Sequence, residues 1–420
     1  MTTMRSNFAQ TTIRSPGIMS VDWEERVDFT RLREYRLSRV KQALATSELG
    51  AILVFEGSNI RYMTATHIGT WAYNNTERWA LITRTGTPWI WDFGSAAKNH
   101  RLYSPWLMPA QSKGGNTGLQ GAIAPTSGLP ESAAKEIAAI LRDEGVANMP
   151  LGVDVVEMPL LRALESNGVD VRDGQQVMLD AREIKNCDEI MLLSQAAAMV
   201  DGVYQDIYEA LKPGVRESDI VALATKRLFE MGSEQVEAIN SIAGERCSPH
   251  PHVFSDRLIR PGDQAYFDII HAFNGYRTCY YRTFAVGRAT QAHRDAYKKA
   301  RELIDTAIAM VRPGASTGDI ARLWPSANEY GFNSEMEAFG LQFGHGLGLG
   351  LHERPVISRL NSMDNPVEIK EGMVFALETY WPGGDGHSAA RIEEELVVTA
   401  TGAELLTLFP AEELVVTNAY

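Results

Sequence analysis

Two stretches of this chain repeat each other at a constant separation of 100 residues. Segment 213–223 reads Pro-Gly, four further residues, Asp-Ile, two residues and Leu, and segment 313–323 has the same pattern. Each stretch follows a predicted long helix, which the Pro-Gly pair ends. Because two copies are too few for a solenoid, the pattern indicates two halves of one domain related by a pseudo-twofold axis.

A second pair of similar segments supports this duplication. GDQAYFD (262–268) resembles GMVFALE (372–378), since in both a glycine opens an apolar strand that is predicted to end in a carboxylate six residues later. The pseudo-twofold would bring Asp268 and Glu378 towards each other. A carboxylate buried at an apolar strand is costly unless another group compensates it, so the two acids mark a candidate functional site.

The N-terminal part follows a different pattern, in which strands and helices alternate. This alternation predicts an α/β domain, and a chain of 420 residues is expected to form two domains. The predicted elements are a helix at 31–50, strands at 51–55, 79–83 and 88–93, a loop at 110–130, a helix at 132–145, a strand at 151–156 and a helix at 158–167. The predicted divisions are an arm at 1–28, an N-terminal domain at 29–178 and a C-terminal domain at 179–420.

Composition excludes several classes of partner. The net charge is -13 and no basic run is present, which argues against nucleic acid and anionic membranes as partners. No apolar run approaches the ~20 residues that span a bilayer, and the first 28 residues lack the apolar segment of a secretory signal. Three cysteines are too few for a disulfide framework. We therefore expect a cytoplasmic protein that acts on a small molecule.

Acidic and histidine motifs cluster in the second half of the chain. GHGLGLGLHE (344–353) combines four glycines, which permit close backbone approach, with two histidines, and RIEEELVV (391–398) puts acids on an apolar strand. Strand alternation points Glu393 and Glu395 to one face and Glu394 to the other. A plausible hard-ligand set for Mn²⁺, Fe²⁺, Co²⁺ or Zn²⁺ consists of Asp268, His345, Glu378 and Glu393.

These motifs resemble the pita-bread superfamily of creatinases, aminopeptidases P, prolidases and methionine aminopeptidases. The matching text is FD (267–268), GY (275–276), RTF (282–284), GHGLGLGLHE (344–353), ALE (376–378) and RIEEELVVT (391–399). The resemblance covers nearly the whole chain. It implies a creatinase-like N-terminal α/β domain, a pita-bread C-terminal α+β domain with the internal pseudo-twofold, and a homodimer.

The resemblance also implies a dinuclear metal site, from which this chain departs at one position. The implied ligands fall on Asp268, Cys279, His345, Glu378 and Glu393, and Cys279 stands where the family has an aspartate that bridges both ions. A thiolate is softer and offers one donor atom instead of two. Three alternatives stay open: a single ion with or without Cys279, a zinc site that uses the thiolate, or a metal-free site as in creatinases. Cys279 as an inert buried thiol is the structural alternative.

Electrostatics constrains the metal-free alternative. Two carboxylates ~4 Å apart repel by about 4 kcal/mol at an effective dielectric constant of 20. Without a metal, at least one of Asp268, Glu378 and Glu393 is therefore expected to hold a proton, unless a cationic substrate neutralises them.

Further site residues follow from the resemblance and from their positions. The implied catalytic residues are His250, which contacts substrate or shuttles protons, His352, which stabilises the tetrahedral intermediate, and Glu378, which is a ligand or proton carrier. The structural alternatives are a surface histidine beside Pro251 for His250, a core histidine for His352, and a pair with Glu394 for Arg391. The candidate substrate-binding residues are His252, His271, Arg391, Trp71 and Tyr281.

Three functions are compatible with these observations. The first is a hydrolase that cleaves a C–N bond in a small molecule or an Xaa-Pro-like dipeptide. The second is a lyase for a small zwitterionic carboxylate, since LREYRL (32–37), SNIRY (58–62), WDF (91–93) and DGQQV (173–177) resemble the dimethylsulfoniopropionate-lyase branch. Ile270 and His352 depart from the pattern of those lyases. The third is a non-catalytic binding module.

Overall fold

Residues 27–69 and 77–419 are described by a computed structural model of the chain. The elements of its N-terminal part are α1 (Phe29–Thr46), β1 (Ala51–Val54), α2 (Gly57–Thr64), β2 (Trp79–Thr83), β3 (Trp89–Asp92), α3 (Ala96–Tyr103), β4 (Ser112–Gly114), α4 (Leu129–Asp143), β5 (Leu151–Val153), α5 (Met158–Ser166), β6 (Val171–Asp173) and α6 (Gln175–Arg182).

The N-terminal strands form one mixed sheet in the order β4-β3-β2-β1-β5-β6. β2 and β3 are an antiparallel pair, whereas β1 and β5 run parallel. The predicted strands at 51–55, 79–83 and 88–93 are confirmed. The predicted loop at 110–130 was wrong in one respect, because it contains β4 beside β3. A strand of three residues is too short to show a period of its own.

The C-terminal part contains two further sheets, in the orders β15-β9-β8-β7 and β11-β10-β12-β13-β14. Its elements are α7 (Cys187–Ala210), α8 (Glu217–Glu230), β7 (Gln235–Ala243), β8 (Gln264–Phe273), β9 (Tyr276–Val286), α9 (Gln291–Met310), α10 (Thr317–Leu323), β10 (Phe343–Gly346), β11 (Glu353–Ile357), β12 (Val374–Pro382), β13 (Ala389–Val398), β14 (Ala403–Leu405) and β15 (Val415–Thr417). Within the described residues, none of the helices combines the length and apolar character that crossing a membrane requires.

The internal duplication is confirmed by matching backbone bonds in the two halves. Gly214 has a φ of +94° and donates its amide to the carbonyl of Ile259 at 2.9 Å; Gly314 has a φ of +84° and donates to Ile369 at 2.9 Å. α7 and α8 pack against the β8-β9 sheet, and α9 and α10 pack against the β12-β13 sheet. Each half therefore has its own apolar core behind its own sheet.

The two sheets meet along β9 and β13, and this contact positions the candidate site. Thr283 on β9 and Arg391 on β13 exchange two hydrogen bonds, since the Arg391 amide donates to Oγ1 at 2.9 Å and Oγ1 donates to the Arg391 carbonyl at 2.6 Å. Asp268 and Glu378 lie within β8 and β12 rather than at the strand ends that were predicted. Both strands continue because their neighbours keep pairing with them.

The repeated turns give a prediction about stability. An added Cβ at Gly214 or Gly314 would meet no atom within 4 Å, so replacement by alanine costs only backbone strain from the positive φ. We expect Gly214→Ala and Gly314→Ala each to lower the free energy of unfolding by about 1–2 kcal/mol, measured by urea denaturation. Gly202→Ala is the matched control within α7 and is expected to raise it by up to about 1 kcal/mol. A clearly unequal loss at the two turns would contradict their equivalence.

Candidate active site

Five strands each contribute one of the predicted ligands to a single buried cluster where the two sheets meet. The members are Asp268 on β8, Cys279 on β9, His345 on β10, Glu378 on β12 and Glu393 on β13. Register accounts for one of these approaches, because Glu378 lies directly opposite Glu393 in the β12–β13 ladder.

Three of the five side chains form a compact donor group. One ligand atom from each of Cys279, His345 and Glu393 lies within 4.8 Å of the other two. The thiol sulfur is 4.0 Å from Oε2 of Glu393, and Nε2 of His345 is 3.7 Å from Oε1. That Oε1 is buried and has no hydrogen-bond partner among the described residues. Sulfur, nitrogen and oxygen donors at these separations could hold one metal ion.

His345 is oriented for this role by its other nitrogen. Nδ1 lies 2.9 Å from the carbonyl of Leu351 and 3.3 Å from that of Gly346, and both are acceptors. Nδ1 must therefore carry the hydrogen, which leaves the lone pair of Nε2 directed towards Glu393. Burial, reinforced by the neighbouring His352, lowers the pKa of His345 to about 3, so the ring is neutral.

The other two carboxylates are engaged by donors of the protein itself. Oδ2 of Asp268 accepts from Nδ2 of Asn240 at 3.0 Å, and Oδ1 accepts from the Cys279 thiol at 3.4 Å. Glu378 forms an ion pair with the guanidinium of Arg391. Asp268 and Glu378 therefore already have partners, whereas Oε1 of Glu393 has none within residues 27–69 and 77–419.

Burial makes this site retain protons, as the predicted repulsion requires. It raises the pKa of Glu378 to about 7, with the charge of Asp268 adding to the rise and Arg391 opposing it. Burial and the charges of Glu378 and Asp268 raise the pKa of Glu393 well above its usual value. Burial and the Asp268 charge do the same for the pKa of the Cys279 thiol. Any cation that binds here must displace these protons.

Glu395 was not predicted as a site residue, although alternation placed it on the same face as Glu393. Its Oε1 accepts from the Cys279 amide at 2.6 Å and from Thr278 Oγ1 at 2.7 Å, so it fixes the backbone that carries the thiol. Burial raises the pKa of Glu395 to about 8. Asn240 was also missed, because no sequence pattern associates an amide on β7 with Asp268.

Arg391 is fully buried, and only part of the hydrogen-bonding capacity of its guanidinium group is used. One terminal nitrogen serves Glu378 and also donates to the Gly340 carbonyl at 2.9 Å, while the guanidinium lies 4.2 Å above the Tyr281 ring. Its Nε and other terminal nitrogen have no hydrogen-bond partner among the described residues. The alternative partner considered from sequence, Glu394, instead binds Arg282 and Arg301.

The predicted histidines of the site form two separate groups, one at His250 and His252 and the other at His345 and His352. Nε2 of His250 is 2.9 Å from the Tyr281 hydroxyl, and the His252 ring lies 3.8 Å from the His250 ring. Burial, and then the Arg391 charge, lower the pKa of His250, so its ring is neutral. His352 is exposed, with its ring centre 4.7 Å from that of His345. The two groups therefore border the buried cluster from different strands and loops.

The prediction that His271 faces the same cavity is wrong. Its ring nitrogens lie 3.0 Å from Ser233 Oγ and 2.9 Å from the Ala196 carbonyl on α7, so the side chain is part of the packing behind the sheet. An odd separation of three from Asp268 places it on the opposite face of β8. Trp71, which was also predicted to bind substrate, lies outside the described residues.

Comparisons with known proteins agree on one family. The model of metallopeptidase family M24 matches residues 191–400. A dimethylsulfoniopropionate lyase DddP of Roseovarius nubinhibens is 27% identical over 400 residues, 91% of this chain and 87% of that protein. An Xaa-Pro dipeptidase of Pyrococcus furiosus is 30% identical over 247 residues, 58% of this chain and 68% of that protein. The solved dipeptidase of Pyrococcus horikoshii OT3 shares the fold, with a TM-score of 0.73 at 21% identity over 91% of this chain and 99% of that chain.

His271 makes stability depend on pH. Burial lowers its pKa to about 4 from an ordinary value of 6.5, so the unfolded chain binds more protons between these pH values. The contribution of His271 to the free energy of unfolding is therefore complete above pH 6.5. As the pH falls from 6.5 to 4, the free energy of unfolding decreases by up to about 3 kcal/mol. We expect His271→Gln to weaken the acid dependence of the unfolding free energy, measured in urea at pH 7 and pH 5. The exposed His387→Gln control should leave it unchanged, and an unaltered slope in His271→Gln would contradict the assignment.

Proposed function

The chain belongs to metallopeptidase family M24, and on this premise we propose that it is a hydrolase of a C–N bond in a small molecule or Xaa-Pro-like dipeptide. We further propose that it uses one divalent ion held by Cys279, His345 and Glu393. The observation that carries this proposal is that the five side chains of the buried cluster fall into two groups. Three donors lie within 4.8 Å of one another, whereas Asp268 and Glu378 are held by protein donors.

The donor set supports one ion rather than two. Cys279 offers a single atom where a bridging carboxylate would offer two, and its thiol donates to Asp268. The unpartnered Glu393 oxygen is a buried acceptor for which a cation is the natural partner. A divalent ion bound here supplies Lewis acidity, which polarises a substrate carbonyl and lowers the pKa of water.

Glu378 is assigned the proton transfers of the reaction. It is the site carboxylate whose pKa burial brings to about 7, so at neutral pH it exists in both protonation states. A group with this pKa accepts a proton from the attacking water and returns it to the leaving nitrogen with little energetic penalty. Its ion pair with Arg391 fixes the carboxylate while the transfer occurs.

Arg391 is assigned to substrate recognition. Two of its guanidinium nitrogens are buried and have no hydrogen-bond partner in the described part of the chain, and such donors bind a carboxylate through paired hydrogen bonds. The Tyr281 ring beneath the guanidinium keeps it in place. His250 borders this end of the site through its bond to Tyr281, and His352 borders the other end beside His345. These neutral or exposed rings are proposed to stabilise the charge that develops on the substrate.

Elimination is the second candidate function, because the lyase relative from Roseovarius nubinhibens matches 91% of the chain. In this reading a site base removes a proton α to a carboxylate and a β-leaving group departs. The environment of Ile270 favours hydrolysis, since this side chain packs in the apolar core together with Cys279 and offers no acid or base. The Xaa-Pro dipeptidase relative is consistent with that preference.

Metal content tests the proposed site. We expect the purified chain, loaded with Zn²⁺ and freed of excess ion, to carry one equivalent per chain by inductively coupled plasma mass spectrometry. Cys279→Ser should lower the affinity for Zn²⁺ at least tenfold, since an oxygen donor replaces the softer sulfur. Cys247→Ser is the matched control, because Cys247 is also buried but bonds only backbone carbonyls. Two equivalents, none, or equal affinity in Cys279→Ser would overturn the site.

Product analysis separates the two reactions. A panel of Xaa-Pro dipeptides and small sulfonium or ammonium carboxylates is incubated in ¹⁸O-labelled water. Hydrolysis of a dipeptide incorporates one ¹⁸O atom into the new carboxylate, whereas elimination releases an unlabelled alkene. Because Arg391 is assigned to a carboxylate, dipeptide amides should show a KM at least tenfold above that of the free acids. Alkene formation, or equal KM values for acid and amide, would count against the corresponding assignment.

A further inference from the structure

A buried carboxylate lies beneath the glycine-rich segment that joins the two histidines of the site. Glu353 directly follows His352 and is almost completely shielded from solvent. Its Oε1 accepts from the Gly350 amide at 2.8 Å, and its Oε2 accepts from Nζ of Lys185 at 2.9 Å. Arg182 is a second cation nearby, with Nε 3.5 Å from Oε1. The carboxylate is therefore the centre of a small buried network.

The segment 346–352, called here the glycine loop, is shaped around this carboxylate. A Cβ atom at Gly348 would lie 2.5 Å from Oε2 and 2.6 Å from Oε1 of Glu353. At Gly350 the nearest atoms would be the Glu353 side chain at 3.3 Å. The glycines are needed because the backbone passes directly over a carboxylate that must stay in place. This close approach accounts for glycines of the GHGLGLGLHE motif (344–353) that have no part in the catalytic assignments.

The same loop orients His345. The Leu351 carbonyl, one residue after the Gly350 amide that Glu353 binds, accepts the hydrogen of Nδ1 at 2.9 Å. From its other side the loop is held by Ser58 Oγ, which donates to the Leu349 carbonyl at 2.9 Å, and by the Arg277 amide, which donates to Gly348 at 2.9 Å. A shift of the loop would thus release the bond that fixes the tautomer and direction of the imidazole ring.

Lys185 belongs to the connector between the N-terminal and C-terminal parts. It lies between α6, which ends at Arg182, and α7, which begins at Cys187. Its own amide donates to the Gly372 carbonyl at 2.9 Å, so its backbone is anchored at the turn before β12. Its side chain is fully buried and has Glu353 as its acidic partner. Burial by itself would raise the pKa of Glu353, but Lys185 and Arg182 outweigh it and hold that pKa below its usual value.

We infer that Lys185 is a positioning residue for the metal centre, which acts through Glu353 and the glycine loop to fix the orientation of His345. The inference rests on the proposed ion site. It makes the interdomain connector part of the machinery that builds that site, although Lys185 touches neither substrate nor ligand atoms. Partners of a metal-binding histidine of this kind typically change metal affinity by 10–100-fold when they are removed.

The test compares three variants. Lys185→Met removes the charge and keeps the length of the side chain. Lys185→Met/Glu353→Gln removes both charges, and the amide oxygen of Gln still accepts from the Gly350 amide. Lys370→Met is the matched control, because Nζ of Lys370 also lies 2.9 Å from an acid of the connector, Glu183, but does not contact the glycine loop.

Two readouts are used. Zn²⁺ affinity is measured by competition titration with a chromophoric chelator, and folding is checked by thermal denaturation. In the metal-free protein, ¹⁵N-histidine NMR reports the protonated nitrogen of His345, whose signal is identified by its absence in His345→Asn. This second readout does not require a bound ion, so failure of the proposed metal site and failure of the positioning role are distinguishable.

We expect Lys185→Met to bind Zn²⁺ at least tenfold more weakly and to lose the single Nδ1–H signal of His345. The double variant should recover most of both properties, since the Gln amide at this position needs no ammonium partner and still accepts from the Gly350 amide, and Lys370→Met should match the parent chain. Unchanged affinity and tautomer in folded Lys185→Met would overturn the inference. If Lys185→Met does not fold, the double variant decides: parent-like affinity and tautomer support the coupling, and a mixed tautomer overturns it.

Discussion

The burial of several acidic side chains at the contact between two sheets is the constraint around which this molecule is organised. Asp268, Glu378, Glu393 and Glu395 come from three strands, and each is largely shielded from water. Like charges at such a place are costly unless protons, cations or hydrogen-bond donors compensate them. Arg391, Asn240 and the Cys279 backbone supply part of the compensation. The remainder is left to protons or to a bound cation.

Part of that remainder lies on Glu393, whose Oε1 has no hydrogen-bond partner among the described residues, and Oε2 of Glu395 is in the same position. Cys279 lies where the family resemblance implies a bridging carboxylate, and its thiol donates to Asp268. The chemistry therefore divides between a compact group of three donors and a pair of carboxylates held by the protein. We propose that the group of three donors binds an ion, and that Glu378 and Arg391 serve proton transfer and substrate recognition.

Support for this arrangement extends well beyond the atoms that would touch a substrate. The repeated turns at Gly214 and Gly314 place equivalent helices behind the two sheets and leave their strands to meet in the middle. The connector adds a second level of support, because Lys185 reaches the carboxylate beneath the glycine loop. Geometry at His345 thus depends on both halves of the duplication and on the segment that links them to the N-terminal sheet.

Much of the fold could be predicted from spacing and periodicity, and the acidic and histidine motifs indicated Asp268, His345, Glu378 and Glu393 as members of the cluster. Cys279 was added only by the family resemblance. The offset of 100 residues revealed the duplication, and alternation along 391–398 separated Glu393 and Glu395 from Glu394. Alternation also contained the signal that His271, three residues after Asp268, belongs to the opposite face, although the prediction did not use it.

The choice of partner could not be predicted in this way. Arg391 pairs with Glu378 rather than Glu394, Asn240 binds Asp268, and Lys185 binds Glu353 across 168 residues. Such pairings are decided by the register between strands and by the packing of one sheet on another, which bring together side chains that no local period relates. The sequence by itself determined the duplication and the acidic and histidine motifs of the cluster. The tertiary structure decided which partner each buried group has, because only three-dimensional contact satisfies one buried group and leaves its neighbour without a partner among the described residues.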